Sequence, residues 1–244
     1  MKVGWLSDKS EYTGGAELTA SEFRAAAPEG VEIVDCPPGE VVPELDTYVV
    51  HNCTTYGEYP ERTDGPVARY LHDLRGGFNE GDELIFCSPA QQDRYNLGGH
   101  LIPPPLDLQA FRPARQQPTE IKREGACCVG AFMNPGKGGH LVSEWADRNE
   151  PVDVWGFGPF MPAGPNIRNR GRAKQNELPT ILQRYERFVF LPPALEPFGR
   201  CVVEAWAAGC ELIVNSNVGA RWWIENEPEA LETAGERFWE VILA

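Results

Sequence analysis

The chain has 244 residues, 42% of them hydrophobic, which is enough for one large domain or two small ones and too many for a wholly disordered chain. Its 22 basic residues face 36 acidic ones, a formal net charge of −14, and a surface of that sign repels phosphate backbones and anionic lipid, although a local basic groove remains compatible with it. No apolar run approaches the length of a membrane-spanning helix, and residues 1–8 read as a first strand rather than an export signal, so a cytoplasmic protein is expected.

In chain order, short apolar strands alternate with helices or loops. Residues 2–7 predict a strand. Gly14 and Gly15 follow it and open a helix over 16–27, which Pro28 and Gly30 stop. Strands are expected over 31–35, 47–51, 67–71 and 83–88, then a short helix over 89–95 and a strand at 101–102 that runs into three prolines. Strands separated by crossovers imply a parallel sheet. Residues 111–124 are polar and aperiodic, carry Pro113 and Pro118, and read as a linker.

A second alternating series follows. It predicts strands over 126–132, 152–156, 188–191 and 211–215, helices over 139–149, 177–185 and 200–208, and a closing amphipathic helix over 229–243. The expected division is residues 1–113, residues 114–228, and a final helix over 229–244 that packs back toward the first domain. Two α/β halves would place a ligand cleft between two sets of strand C-terminal ends. No tandem repeat of 20–50 residues is visible.

The seven cysteines are scattered and form no C-x-x-C pair. Reduced, buried thiols are expected, and no zinc site.

The chemistry concentrates in residues 188–219, FVFLPPALEPFGRCVVEAWAAGCELIVNSNVG. The pattern is a strand, a Pro-rich loop, a helix and a strand. Glu196 lies in the loop, Phe198 and Gly199 end it, and Glu204 lies one to two turns into the helix. A helix N-terminus offers free N–H groups and a positive dipole end, which suits a diphosphate. Gly199 allows close approach of a ligand to the backbone. A carboxylate in the loop can accept two sugar hydroxyls, and one on the helix can accept a ribose diol. An anion with a hydroxyl pair on each side describes a nucleotide sugar. The plainer reading of any Glu pair is two solvated charges on an amphipathic helix.

Glu196 and Glu204, with Pro197-Phe198-Gly199 between them and Ala205 and Gly209 beyond, resemble the motif of retaining glycosyltransferase family 4, the group 1 glycosyltransferases. That resemblance implies a GT-B fold: two Rossmann-like α/β domains facing across a central cleft, here with a reduced N-terminal domain. Other segments fall in the same order. Gly14-Gly15-Ala16-Glu17 is similar to the glycine-rich first loop, near acceptor and donor phosphates. Leu71-His72-Asp73 resembles the strand-end histidine that approaches the donor sugar. His51 with Asn52 competes with His72 for that place, and His100 and His140 are weaker candidates. Residues 102–111 look like the connector into the second domain. Gly130 followed by Lys137 resembles the donor-side loop, where an ammonium neutralises the departing diphosphate. Gly156 ends a strand as the family's Gly-x-Gly does, and Gly171 with Glu177-Leu178 looks like the turn that frames the base.

Two departures stand out. Ala131 and Phe132 occupy the place where the family usually carries an Arg after the glycine, and Arg200, Arg168, Arg170 or Arg172 are the candidates to replace it. The chain is also shorter than a usual member, which leaves the acceptor side open or completed by a partner.

The resemblance implies a hexosyltransferase that moves a sugar from a nucleoside diphosphate sugar, UDP favoured, to an acceptor hydroxyl of a glycan or another compound, with retention. Glu196, His72 and Lys137 would be catalytic. Glu204, Gly199, Phe198, Arg200, Gly14, Gly15, Gly130 and Gly156 would bind the donor. No Asp-x-Asp motif occurs, so neither a metal nor a further cofactor is expected. The alternatives are a nucleotide-sugar-binding protein with little turnover, a GT-B phosphorylase or epimerase, and an enzyme acting on a modified nucleobase in DNA. The run Arg168, Arg170, Arg172 and Lys174 motivates the last, although a solvated loop is its plainer reading. Base, sugar, acceptor and oligomeric state are not legible.

Overall fold

The computed structural model describes residues 1–7, 14–36, 44–51, 66–74, 78, 80–112 and 122–244. Two compact units emerge, Met1–Leu106 with Glu225–Ala244, and Asp107–Ile224. The expected boundary at 113/114 lies outside the described residues, as do Asn52, Cys53 and most of the linker.

The first unit is built on a parallel sheet of β1 (Lys2–Ser7), β2 (Glu32–Asp35), β3 (Thr47–His51), β4 (Val67–Leu71), β5 (Glu83–Phe86) and β6 (His100–Leu101), in the order β2-β1-β3-β4-β5-β6. Strand side chains alternate between the two faces. Leu6, Cys36, Tyr48 and Val50 make a core on one face. On the other, the rings of Trp5, His51 and Tyr70 meet Phe23 of α1 (Gly15–Ala25) and Phe238 of α8 (Ala234–Ile242). The Trp239 indole N–H donates to the Phe23 carbonyl at 2.7 Å, which ties the chain's end to its first helix. The last helix is shorter than the periodicity predicts. A 3-10 turn over Pro228–Leu231 precedes it, and Glu232 and Thr233 separate the two. Pro228 suits the first position of such a turn because it needs no N–H partner there.

The second unit holds β7 (Ala126–Ala131), β8 (Val152–Phe157), β9 (Ile167–Gly171), β10 (Arg187–Phe190) and β11 (Glu211–Val214), all parallel, in the order β11-β10-β7-β8-β9. Its core joins Cys128, Phe132, Val152, Val154 and Val189 to Val142 and Ala146 of α4 (Gly139–Arg148). Also here are α3 (Leu108–Phe111), α5 (Leu178–Leu182), α6 (Arg200–Ala207) and most of α7 (Gly219–Asn226), while α2 (Pro89–Tyr95) belongs to the first unit. Within α7, Trp222 and Trp223 meet edge to face at 5.0 Å, and Trp223 is buried.

Residues 167–171, read from sequence as part of a solvated loop, form the edge strand β9. Four of its five residues are exposed and only Ile167 is apolar, which hid it, because an edge strand has little apolar face to show. Cys36, Cys87, Cys127, Cys128 and Cys210 are buried, Cys201 is half-buried, and all six are free thiols.

Candidate functional site

Sheet order explains how distant residues meet in the second unit. β7 and β10 are neighbours, so the loops at their C-terminal ends are neighbours too. After β7 the chain makes a 3-10 turn, Pro135–Lys137, and enters α4 through Gly138 at φ +74°. A Cβ at Gly138 would run into the Leu191 carbonyl just beyond β10. That contact brings Lys137 to Glu196: Nζ to Oε2 is 2.6 Å, with the side chains 34% and 18% exposed.

The Glu196 backbone is laced to the loop after β11. Glu196 N–H donates to the Asn217 carbonyl at 2.8 Å, and Gly219 N–H to the Glu196 carbonyl at 2.9 Å. The side-chain amides of Asn215 and Asn217 both donate to the Pro192 carbonyl, at 2.8 and 2.9 Å. Phe198 is buried, and Gly199 caps α6 in the left-handed region at φ +88°. The two asparagines fix the acid's loop; the only sign of them in the sequence is an Asn-x-Asn directly after a strand.

Glu204 is 3% exposed on α6. A buried carboxylate requires partners. The Gln175 side chain donates to its Oε1 at 3.0 Å, and Arg200, one turn earlier, stands 3.9 Å from the same oxygen. Nothing in the sequence marked Gln175. Burial pushes the Cys201 thiol well above its usual range, with Glu204 and Glu196 adding to the shift and Lys137 opposing it. Gly130 pairs with Gly156 across β7 and β8, and a Cβ at Gly156 would strike the Gly130 carbonyl.

Of the arginines considered as substitutes for the missing cation, Arg168 and Arg170 are tied to Asp153 at 2.7 and 3.0 Å. Arg172 lies over the Phe157 ring at 4.6 Å. Arg200 is the one that shares α6 with Glu204, 3.9 Å from its carboxylate.

The remaining predicted residues belong to the first unit. Gly14 and Gly15 open α1, and the Gly14 N–H donates to the Glu17 carboxylate at 2.8 Å. His72 follows β4 directly. The turn that carries it is fastened by the buried Gln91, whose side-chain amide donates to the Leu71 and Asp73 carbonyls, at 2.9 Å each. His51, the competitor, is 1% exposed and stacks on Tyr70 with centroids 5.3 Å apart. Its ring centroid is 5.8 Å from that of His72. Burial, with the nearby His72 adding to it, holds the His51 imidazole well below its ordinary pKa. His100 pairs with Glu83 at 2.7 Å, and His140 is exposed on α4.

Among the described residues, no cluster of three or more His, Cys, Asp or Glu could hold a metal ion, and no helix is long and apolar enough to cross a membrane.

No protein-family model matches the chain, and no curated protein matches it. Solved structures do. HepE from Anabaena, crystallised with UDP and glucose, aligns over 99% of this chain and 95% of its own, at 14% identity and a TM-score of 0.64. AviGT4, a glycosyltransferase involved in avilamycin A biosynthesis, aligns over 98% and 96%, at 16% identity and TM-score 0.69. Sucrose-phosphate synthase from Thermosynechococcus elongatus aligns over 98% and 90%, at 13% identity and TM-score 0.68. The fold is GT-B. Each GT-B likeness runs nearly the full length of both chains, so it includes both α/β units.

Proposed function

We propose that the chain is a glycosyltransferase that moves a sugar from a nucleoside diphosphate sugar, with UDP as the favoured nucleotide, to an acceptor hydroxyl. The observation that carries this reading is the cluster around the start of α6: a Glu196–Lys137 ion pair at 2.6 Å in the loops before it, and a buried Glu204 on the helix held by Gln175. The choice of UDP follows HepE, which has the same fold and was crystallised in complex with that nucleotide.

In this reading Glu196 accepts two hydroxyls of the donor sugar, and Glu204 accepts the ribose diol. Lys137, Arg200 and the α6 N–H groups face the diphosphate and stabilise the charge that grows on it as the glycosidic bond breaks. His72 contacts the sugar. No side chain is assigned as a nucleophile. The departing phosphate takes the acceptor proton on the face it leaves, so configuration is retained. The Lys137–Glu196 contact must open or be shared when donor binds, because the sugar and the phosphate compete for these two groups.

The test is thermal stabilisation by UDP, GDP, ADP and their sugars, followed by incubation with the selected sugar and detection of released nucleotide. Selective stabilisation by a nucleotide sugar, lost in Glu204→Ala, is the expected result. Glu196→Ala with full turnover would refute the assignment. The direct pairing of Lys137 with Glu196 favours a second reading, a donor-binding protein with little turnover. Tight binding with no nucleotide release in the presence of candidate acceptors would establish it. For the nucleobase reading, the ties of Arg168 and Arg170 to Asp153 reduce the charge offered to a phosphate backbone.

A further inference from the structure

Gln91 lies on α2 with 0% exposure, and its side chain bonds to groups outside that helix. Ser88 caps α2, and its hydroxyl accepts from the Gln91 N–H at 3.3 Å. Ser88-Pro89-Ala90-Gln91 thus has the form of a capping box, in which the glutamine reaches back to the N–H of the cap residue. Here the glutamine is diverted. Its Oε1 accepts from the Cys87 N–H at 2.9 Å and from the Cys87 thiol at 3.2 Å. Its Nε2 donates to the Leu71 carbonyl and to the Asp73 carbonyl, at 2.9 Å each. A side-chain amide has two donors and two acceptor positions, and all four are used.

The two accepting carbonyls flank His72, and lie 20 and 18 residues from Gln91 in the chain. Carbonyls at a strand end are left over from the sheet and need partners, and one buried side chain supplies both. A capping box needs only an acceptor, which Glu gives as well as Gln. Two donors come only from the amide, so the clasp around His72 accounts for glutamine at this position. The amide has one consistent orientation, because turning it over would set its NH2 against the Cys87 N–H and its oxygen against two carbonyls. The last residue of α2 adds a longer contact, the Tyr95 hydroxyl at 3.5 Å from the Asp73 carbonyl. Holding the backbone on both sides of His72 to one buried group restricts the direction of its side chain. His72 itself is half-buried, with its ring centroid 5.8 Å from that of His51 and 6.4 Å from that of Tyr70.

We propose that Gln91 is a positioning residue for sugar transfer, which acts through the His72 turn it clasps and touches no substrate itself. The part played by His72 rests on the glycosyltransferase reading; the clasp does not.

Three variants of the full-length chain test this. Gln91→Glu keeps the shape and the acceptor, and sets a carboxylate against two carbonyls. Gln91→Met keeps the length and removes every side-chain hydrogen bond. Ser88→Ala removes the cap of α2 and leaves the clasp, so it controls for lost stability alone. One readout is the set of imidazole Hε1–Cε1 cross-peaks after ¹³C-histidine labelling, with His72 assigned by its loss in His72→Gln. The other is single-turnover nucleotide release from the nucleotide sugar that stabilises the unaltered chain. Both Gln91 variants should displace or broaden the His72 peak and leave those of His100 and His140 in place, which also shows that they fold. Both should slow turnover about tenfold to a hundredfold, with affinity for UDP changed less than about threefold. Gln91→Met combined with His72→Gln should be no slower than His72→Gln alone, because a residue that acts only through another adds nothing once that one is gone. Ser88→Ala should leave the His72 peak and the rate as they are. An unmoved His72 peak in both Gln91 variants, the same changes in Ser88→Ala, a slower double variant, or failure of both Gln91 variants to fold overturns the proposal. A displaced His72 peak in a chain that no nucleotide sugar stabilises refutes the glycosyltransferase reading and leaves the clasp standing. Full turnover in His72→Gln overturns the catalytic part of the proposal without touching that reading.

Discussion

Glu204 and Glu196 are chemically alike, yet they sit in different surroundings and should fail differently when altered. Glu204 is buried and already accepts one hydrogen bond. Glu204→Gln keeps its shape and removes the charge that would accept a diol. Charged hydrogen bonds contribute about 1.5–3 kcal/mol. UDP-sugar affinity measured by calorimetry should therefore fall about tenfold to a hundredfold, with less change in turnover at saturating donor. Glu196 meets Lys137 and, in the proposed complex, the reacting sugar. Glu196→Ala should lower turnover by more than about tenfold while donor still binds, which single-turnover assays separate. His51 supplies a pH signature. Its folded pKa is below the unfolded value of 6.5, so the unfolded state takes up the proton first. Its contribution to stability is fully present above pH 6.5 and is lost as pH falls toward the folded pKa. Urea midpoints should fall through that window, and His51→Phe should flatten the fall.

At the scale of elements, two features hold loops and strands in unusual places. Arg69 on β4 and Asp82 before β5 form an ion pair at 2.8 Å, with both side chains 5% exposed. Removing one partner of such a pair leaves a buried charge, at about 3–5 kcal/mol. Asp82→Ala should lower stability by about that amount in denaturant titrations, and Arg69→Met added to it should recover much of the loss. Gly199 shapes the start of α6 through its φ of +88°, and a Cβ there meets only ordinary contacts. Gly199→Ala should therefore cost about 1–3 kcal/mol from backbone strain alone. It should also weaken UDP binding, because the N–H groups after it rotate. The central strands were legible because buried parallel strands are short, nearly unbroken apolar runs bounded by turn residues. β9 was not, since four of its five residues are exposed, two of them charged, and it shows no apolar run.

For the whole molecule, the C-terminal segment matters most. Residues 225–244 belong with the first unit, and Phe238 stacks on Phe23 with centroids 4.0 Å apart. Deleting residues 234–244 would uncover Trp5, Phe23 and Tyr70, which are at most 2% exposed in the intact chain. Uncovering a large apolar side chain costs about 1.5–3 kcal/mol. Hydrogen exchange of the truncated chain should show lost protection in β1, β3 and β4, and retained protection in β7, β8 and β10.

The sequence by itself determined the local things. Strand runs, helix stops, the loop glycines and the spacing of Glu196 and Glu204 are set by neighbours a few residues away, and so are visible in a string. It also carried the likeness that led to the fold. Tertiary structure alone decided which charges pair. Lys137 meets Glu196 across 59 residues because β7 and β10 are adjacent. Gln175 reaches Glu204, Asp153 takes up Arg168 and Arg170, and Trp5 and His51 are left facing a cavity without partners. Each of these depends on strand order and on which atoms water can reach, and neither quantity exists until the chain has packed.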